Sequence, residues 1–357
     1  MKSINKHIVL ITPLLDHGGG QRYIANLSNY WVSLDYTVTI ILLRSGESFF
    51  TLSDKIKVEE LNYCNKNTIN RIFTGLIAGI KLRRILKDEN PNFVLSILSS
   101  TNIFTLISTR FLNVRVFVRD AMSPFRKRSK IERYLRKLLY KKADGVILMT
   151  KIAKNFVEVE TGVSNVKVIH NPVSHVNKYD NITKEKIVIT VGRLTAVKAQ
   201  RYFLEACAKL DRPDWKFIIL GEGELREDLN KMITSLGIEN RVAMPGAVKD
   251  VDLWLNKSMI FVSTSVSEAW GNAICEAMAV GLPVVSFNCD VGPKEIIDDK
   301  ENGFLVPIMD VDELSDKIEI LMDDELLRNK IGHNAMLKMH QLNIETISKE
   351  VLDFCLE

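Results

Sequence analysis

Short apolar runs alternate with longer, helix-patterned stretches along the whole chain, and this limits the fold more than any other feature. Candidate strands are His7 to Ile11, Thr37 to Leu43, Phe93 to Leu98, Val114 to Val118, Gly145 to Met149 and Val166 to His170. Between them, Gln21 to Leu34, Ile69 to Lys87 and Thr101 to Phe111 carry helical spacing. After Asn171-Pro172 and a polar stretch, Ser174 to Lys186, the pattern restarts. Its strands are Ile187 to Val191, Trp215 to Leu220, Met259 to Val262 and Pro283 to Phe287. Its helices are Arg201 to Lys209, Leu225 to Leu236, Asn272 to Val280 and Val311 to Met322. Strands this apolar cannot keep one face wet, so the pattern predicts an α/β chain of parallel sheets covered by helices on both faces. Two doubly wound units are expected, 1–172 and 173–342, followed by a helix over 343–357.

A length of 357 residues suits two such domains, and 46% hydrophobic with 26% charged residues excludes disordered and collagen-like chains. No apolar run reaches the ~18 residues of a membrane span. Lys2, Lys6 and His7 precede the apolar run Ile8 to Leu15 as in a signal peptide, but Pro13 interrupts it and no small-residue cleavage site follows. A first strand is the better reading. Five cysteines, odd in number and without a Cys-x-x-Cys pair, indicate neither a disulfide framework nor a zinc site and fit a reducing cytoplasm.

The formal charge of +4 hides a polarity: residues 1–172 carry +14 and residues 173–357 carry −10. The first half therefore faces something anionic. Nine of the seventeen residues from Arg126 to Lys142 are basic, opposed only by Glu132, while Ile131, Tyr134, Leu135, Leu138 and Leu139 recur at helical spacing. Such a basic amphipathic helix either packs on the core with a solvated charged face or docks on anionic lipid. Nucleic acid fits less well, since no aromatic stacking platform accompanies the charge.

In open parallel sheets ligands bind beyond the carboxyl ends of the strands, and there the unusual residues cluster. Gly18, Gly19 and Gly20 follow the first strand and open a helix, as a phosphate seat or a plain turn. Gly192-Arg193-Leu194 with Lys198 follows the first strand of the second unit, a diphosphate clamp or two solvated cations. Gly221-Glu-Gly-Glu follows the next strand, where the glycines permit a flat ring or ribose to lie over the backbone. Glu268 opens a helix and Glu276 lies eight residues on, about 80° away around a helix, so both can border one cleft. Asp250-Val-Asp252 and Asp310-Val-Asp312 have a metal-site spacing, but each precedes a helical run and reads as a cap.

Glu268-x7-Glu276, Gly281-Leu-Pro283-Val-Val, Cys289-Asp-Val-Gly292-Pro293 and Asn302-Gly303, with Gly192-Arg193-Leu194, Lys198, Gly221 and Asn171-Pro-Val before them, resemble the signature of the retaining glycosyltransferases of family 4. Their fold is GT-B, two Rossmann-like domains facing across a cleft. The resemblance implies that Arg193 and Lys198 hold the donor diphosphate and Glu276 the ribose hydroxyls. It places the base near Gly221 and the backbone around Ala247-Val248. Glu268 and the backbone N–H groups of Ala269, Trp270 and Gly271 would hold the hexose, and Gly18 to Gly20 would close over the phosphates. The helix N-terminus at Trp270 to Asn272 would help stabilise the departing diphosphate. Many relatives carry a histidine where this chain reads Arg119-Asp120, so Asp120 orienting the acceptor hydroxyl, Arg119 binding an acceptor phosphate, and His17 are the acceptor-side candidates.

The expectation is a metal-independent hexosyl- or N-acetylhexosaminyltransferase without cofactor, with a UDP-sugar as co-substrate and a lipid-linked saccharide as acceptor. It would be cytoplasmic and peripheral on the inner face of the plasma membrane through Arg126 to Lys142, with no nucleic-acid partner. A nucleotide-sugar epimerase and a non-enzymatic nucleotide-sugar sensor share the architecture and are the alternatives. Hinge motion is expected near residues 171–186 and the final helix.

Overall fold

The structure, a computed structural model, describes residues 6–16, 18–63, 68–173, 179 and 182–357. His17 and Cys64, and much of the expected hinge at 171–186, lie outside the described residues. The chain divides into two compact units, Met1–Pro172 with Ile344–Glu357, and Val173–Asn343.

The first unit contains β1 (His7–Thr12), α1 (Gly19–Ser33), β2 (Thr37–Leu42), β3 (Lys57–Glu60), α2 (Thr68–Glu89), β4 (Phe93–Ile97), α3 (Ser99–Ser108) and β5 (Val116–Asp120). It continues with α4 (Lys130–Leu139), β6 (Gly145–Leu148), α5 (Lys151–Thr161) and β7 (Val166–Val168). The seven strands lie parallel in the order β3-β2-β1-β4-β5-β6-β7. Strand alternation splits the core in two. Val94, Val116, Val118 and Val146 face Ala78 and Leu82 of α2, Leu106 of α3, Leu139 of α4 and Val157 of α5. Phe93 and Phe117, pointing the other way, form an edge-to-face aromatic chain with Trp31 of α1 and Phe354.

The second unit contains β8 (Ile187–Val191), α6 (Arg201–Lys209), β9 (Lys216–Leu220), α7 (Arg226–Leu236), β10 (Val242–Gly246), α8 (Val251–Lys257) and β11 (Ile260–Ser263). Then follow α9 (Asn272–Ala279), β12 (Val284–Phe287), α10 (Pro293–Ile296), β13 (Phe304–Val306), α11 (Val311–Asp323) and α12 (Glu325–His340). Its six parallel strands run β10-β9-β8-β11-β12-β13. Phe203, Leu229 and Ile318 from α6, α7 and α11 cover Phe217, Ile219 and Val285. The final helix, α13 (Ile344–Leu356), returns to the first unit, where Trp31 Nε1 donates to Ser348 Oγ at 2.7 Å. Among the described residues no helix is long and apolar enough to cross a membrane.

Both sheets reverse their build direction once, between β1 and β4 and between β8 and β11. Connections diverge at such a point and leave a crevice at the carboxyl ends of the strands. Asp250 and Asp310 serve as helix caps, accepting from the N–H of Leu253 and of Glu313 at 2.9 Å each.

Lys184 donates to the Ser258 carbonyl at 3.0 Å, and its burial, with the Arg328 charge behind it, pulls the ammonium pKa down to about 8. Below pH 8 the lysine is charged in both folded and unfolded states. Between pH 8 and the unfolded value near ~10.4 only the unfolded chain holds the proton, so stability rises with pH, and only slightly, because solvent screens this exposed side chain. Urea midpoints of Lys184→Met followed from pH 7 to pH 10 should lack that rise.

Candidate active site

The second sheet builds its site around the β8–β11 reversal. Gly192 and Arg193 leave β8, and Lys198 is held in the turn that follows, where its backbone carbonyl accepts from Thr264 Oγ1 at 3.0 Å. The Val197 carbonyl accepts from the Val266 N–H at 2.9 Å, so the loops after β8 and β11 are laced across the crevice. Lys198 Nζ donates to Glu268 Oε1 at 2.5 Å. Both side chains are mostly shielded, whereas Arg193 is exposed. An ammonium, a carboxylate and a guanidinium thus share one carboxyl edge.

Trp270 is buried and Gly271, at φ 121°, caps α9. The backbone between Glu268 and Asn272 is therefore not helical, so the rotation of about 80° between Glu268 and Glu276 does not apply. Glu276 sits in α9 just past its first turn, and Glu268 reaches the same edge from the loop. The Cys289 thiol is buried, and burial, followed by the nearby Glu268 carboxylate, pushes its pKa up to about 12. It therefore stays neutral beside the pair. Gly292 supports this loop: a Cβ there would stand 2.1 Å from the Trp270 carbonyl oxygen.

The glycines after β9 are required by the packing of the neighbouring loops. Gly221 has φ 142°, and a Cβ on it would meet the Gly192 carbonyl oxygen at 2.0 Å. The loops after β8 and β9 are zipped by Leu194 N–H to the Glu222 carbonyl and Leu225 N–H to the Leu194 carbonyl, at 2.9 and 3.1 Å. This packing holds the Gly192–Arg193 backbone still. Ala247 and Val248 follow β10 at the same edge.

In the first unit, Gly18 is the N-cap of α1, and Gly19 and Gly20 form its first turn, directly beyond β1. Arg119 and Asp120 end β5 inside the strand rather than after it. Both are buried, and Arg119 is 0% exposed. Arg119 stacks on the Tyr23 ring at 3.8 Å and donates to Tyr23 Oη at 3.2 Å and Asn171 Oδ1 at 2.8 Å. Burial lowers its pKa and raises that of Tyr23 to about 12. Asp120 pairs with Arg136, which also donates to Glu160 at 3.0 Å and Tyr140 Oη at 2.9 Å. The structure thus gives Arg119 and Asp120 internal partners at the end of β5.

The basic stretch is also corrected. Its helix is Lys130–Leu139, followed by a single 3-10 turn, Tyr140–Lys142, so Arg126 to Ser129 stand outside it. Arg136 is 0% exposed, whereas Ile131, Tyr134 and Leu138 are exposed. On a helical wheel Arg136 lies beside Leu139 and Tyr140, which are buried with it. Arg136, the partner of Asp120, was not singled out by residue type, whereas Asn171, the partner of Arg119, entered only within Asn171-Pro-Val.

A family model described as Glycosyltransferase Family 4 matches residues 17–176, and one described as Glycosyl transferases group 1 matches residues 174–338. The chain belongs to the family 4 glycosyltransferases. A Campylobacter jejuni relative named a GalNAc-alpha-(1->4)-GalNAc-alpha-(1->3)-diNAcBac-PP-undecaprenol alpha-1,4-N-acetyl-D-galactosaminyltransferase is 28% identical, over 98% of this chain and 98% of its own. The Erwinia amylovora amylovoran biosynthesis glycosyltransferase AmsD is 25% identical, over 97% of this chain and 98% of its own. Anabaena HepE, solved with UDP and glucose, superposes with a TM-score of 0.82 at 20% identity, over 97% of this chain and 98% of its own, and shows the GT-B fold. In this transferase the cation–carboxylate edge of the second unit lies inside the group 1 match.

Proposed function

We propose that this glycosyltransferase moves a hexose or N-acetylhexosamine from a UDP-sugar to a lipid-linked saccharide in bacterial glycan assembly, with retention of anomeric configuration. The Lys198–Glu268 pair at the β8–β11 reversal, with Arg193 and the start of α9 beside it, carries this reading. Departure of a nucleoside diphosphate places new negative charge on oxygens that fixed cations and helix N–H groups stabilise. Arg193 and Lys198 take the diphosphate, and Gly192 lets it approach. Glu276 takes the ribose hydroxyls, and the base lies near Gly221 and Val248. Glu268, with the N–H groups of Ala269, Trp270 and Gly271 and the start of α9 at Asn272, orients the sugar. Same-face attack through an oxocarbenium-like state needs no enzymic nucleophile, and two cations at the leaving group make a metal ion unnecessary. The name of the C. jejuni relative, with its PP-undecaprenol saccharide, supports the acceptor class, and the HepE complex supports UDP. The basic stretch Arg126 to Lys142 would hold the enzyme to the inner face of the plasma membrane.

Thermal shifts across UDP, GDP and ADP test the nucleotide. A ligand at a hundredfold excess over Kd adds about 2.7 kcal/mol, and UDP should give the largest rise in Tm. A UDP-sugar incubated alone should persist and be consumed only with an undecaprenyl-diphosphate saccharide present, yielding an α-linked product by NMR. Isomerisation of the donor without acceptor would establish an epimerase instead.

A further inference from the structure

Gln200, which immediately precedes α6 in the second unit, is only 2% exposed. Its Nε2 donates to the Arg193 carbonyl at 3.0 Å, while its Oε1 is buried and has no hydrogen-bond partner among the described residues. A buried amide oxygen left unpaired is costly, and a leucine or methionine in its place would leave nothing unpaired. Ala199, beside it, holds φ 47°, in the left-handed region that a Cβ disfavours. These two successive costs fall in the turn that carries Arg193 near its start and Lys198 near its end. Strain that a fold retains in this way marks a place where the geometry is used.

The bond from Gln200 reaches across that turn. The Arg193 carbonyl also accepts from the Thr195 N–H at 2.9 Å, and the other side of the same peptide, the Leu194 N–H, donates to the Glu222 carbonyl at 2.9 Å. The Arg193–Leu194 peptide is thus pinned on both sides, and Gln200 is its side-chain tie. Side-chain packing cannot replace that tie. Against the turn lies a cavity of about 470 Å³, lined by Ala196, Ala199 and Gln200 of the turn and by Leu225, Leu229 and Met232. A loop that borders open space is held there by its bonds rather than by close-packed neighbours. Lys198 has a separate hold, through Thr264 Oγ1 on its carbonyl, and its side chain lies along Gly192, where a Cβ would come 3.5 Å from its Cδ and Cε. The Arg193 guanidinium, exposed and in no ion pair among the described residues, takes its direction from its backbone alone.

We propose that Gln200 is a positioning residue for the transfer reaction: its amide fixes the Arg193–Leu194 peptide and so aims the guanidinium at the leaving diphosphate. Resting on the reading of Arg193 as a diphosphate ligand, this role acts through Arg193 and involves no contact between Gln200 and substrate. A guanidinium free to swing must be ordered at every turnover. Its alignment is needed most when negative charge develops on the leaving group, so the loss falls on kcat more than on ground-state binding. The Arg193 carbonyl keeps the Thr195 N–H when Gln200 is replaced, so the substitution orphans no backbone group and the fold survives it.

Gln200→Met keeps the side chain's length and removes both polar atoms. Donor kcat/KM is expected to fall about tenfold or more, mostly in kcat, with the acceptor KM unchanged. The Tm should hold or rise, because the unpaired Oε1 goes with the amide. Gln200→Leu should reproduce the loss, so that a packing fault peculiar to one side chain is not mistaken for it. Two double-variant cycles decide the role. Gln200→Met should cost little in an Arg193→Ala background, where the group it aims is gone, and should keep its full effect in a Lys198→Ala background. A merely structural glutamine would lower both backgrounds alike. Normal turnover in Gln200→Met, or a loss equal in the two backgrounds, overturns the proposal. Arg193→Ala keeps the two readings apart. If it lowers donor turnover while Gln200→Met does not, only the role of Gln200 fails; if Arg193→Ala is itself near normal, the diphosphate reading of Arg193 fails, and this role with it.

Discussion

Lys198→Ala is expected to lower kcat/KM for the donor by about 10²- to 10³-fold, the loss typical when one donor to a developing negative charge is removed. The substitution acts twice. It removes the ammonium from the leaving diphosphate, and it strips Glu268 of the partner that holds it at 2.5 Å. A carboxylate without that partner would then face the incoming phosphates and repel them. Glu268→Gln should therefore recover part of the donor affinity lost in Lys198→Ala, with the double variant better than the sum of the singles. Glu276→Ala should also cost orders of magnitude, through the nucleotide, so the weakened binding of UDP itself distinguishes it. Unchanged melting temperatures are expected in all three, because these side chains border the crevice rather than the core. Near-normal turnover in both Lys198→Ala and Glu276→Ala would refute the site.

The parts of this fold readable from residues were those where burial on both sides leaves no choice of pattern. The strands Ile187–Val191 and Phe93–Ile97 are apolar but for Thr190 and Ser96, and the helix Arg201–Lys209 has the boundaries its spacing predicts. Three strands escaped for local reasons. β3 is Lys-Val-Glu-Glu at a sheet edge, β10 ends in Pro-Gly, and β13 has only three residues. α12 was missed because its apolar residues do not form one stripe: it packs against α9 while Ile331 also reaches the core. The donor-side residues were legible because glycines and charges at strand ends have few other uses. The burial of the first unit's polar residues was not legible, because residue type does not reveal depth. Arg119, Asp120 and Arg136 look like surface charge in sequence, and are buried only because β5 runs two residues further and α4 turns Arg136 inward. The converse error hid α2, whose apolar residues look like core until its outer side is found bare.

That buried network carries the second large effect. Arg136→Met is expected to destabilise the first unit by about 3–5 kcal/mol, the cost of leaving buried charge unpaired. Asp120 would keep a carboxylate shielded from water with Arg128 Nη2 still 3.9 Å away, and Glu160 would lose its 3.0 Å contact. The methionine fills the volume, so the loss measures charge rather than a cavity. Two further measurements separate this from generic core damage. Asp120→Asn/Arg136→Met should lose much less than the two single variants together, because no carboxylate is left stranded at Asp120. Acidification from pH 7 to pH 5 should recover stability in Arg136→Met relative to the wild type, since an unpaired buried carboxylate has a raised pKa and sheds its cost on protonation. Urea midpoints read both. The same variants bear on acceptor use. Arg128 holds the loop after β5 through the carbonyls of Pro124 and Ser123, at 2.7 and 3.4 Å, and Asp120 is where that loop begins. Loosening it should raise KM for acceptor while the donor-dependent melting shift stays intact. A loss below about 1 kcal/mol with no pH dependence would mean that the arginine is dispensable and that water or a rearranged side chain meets both carboxylates.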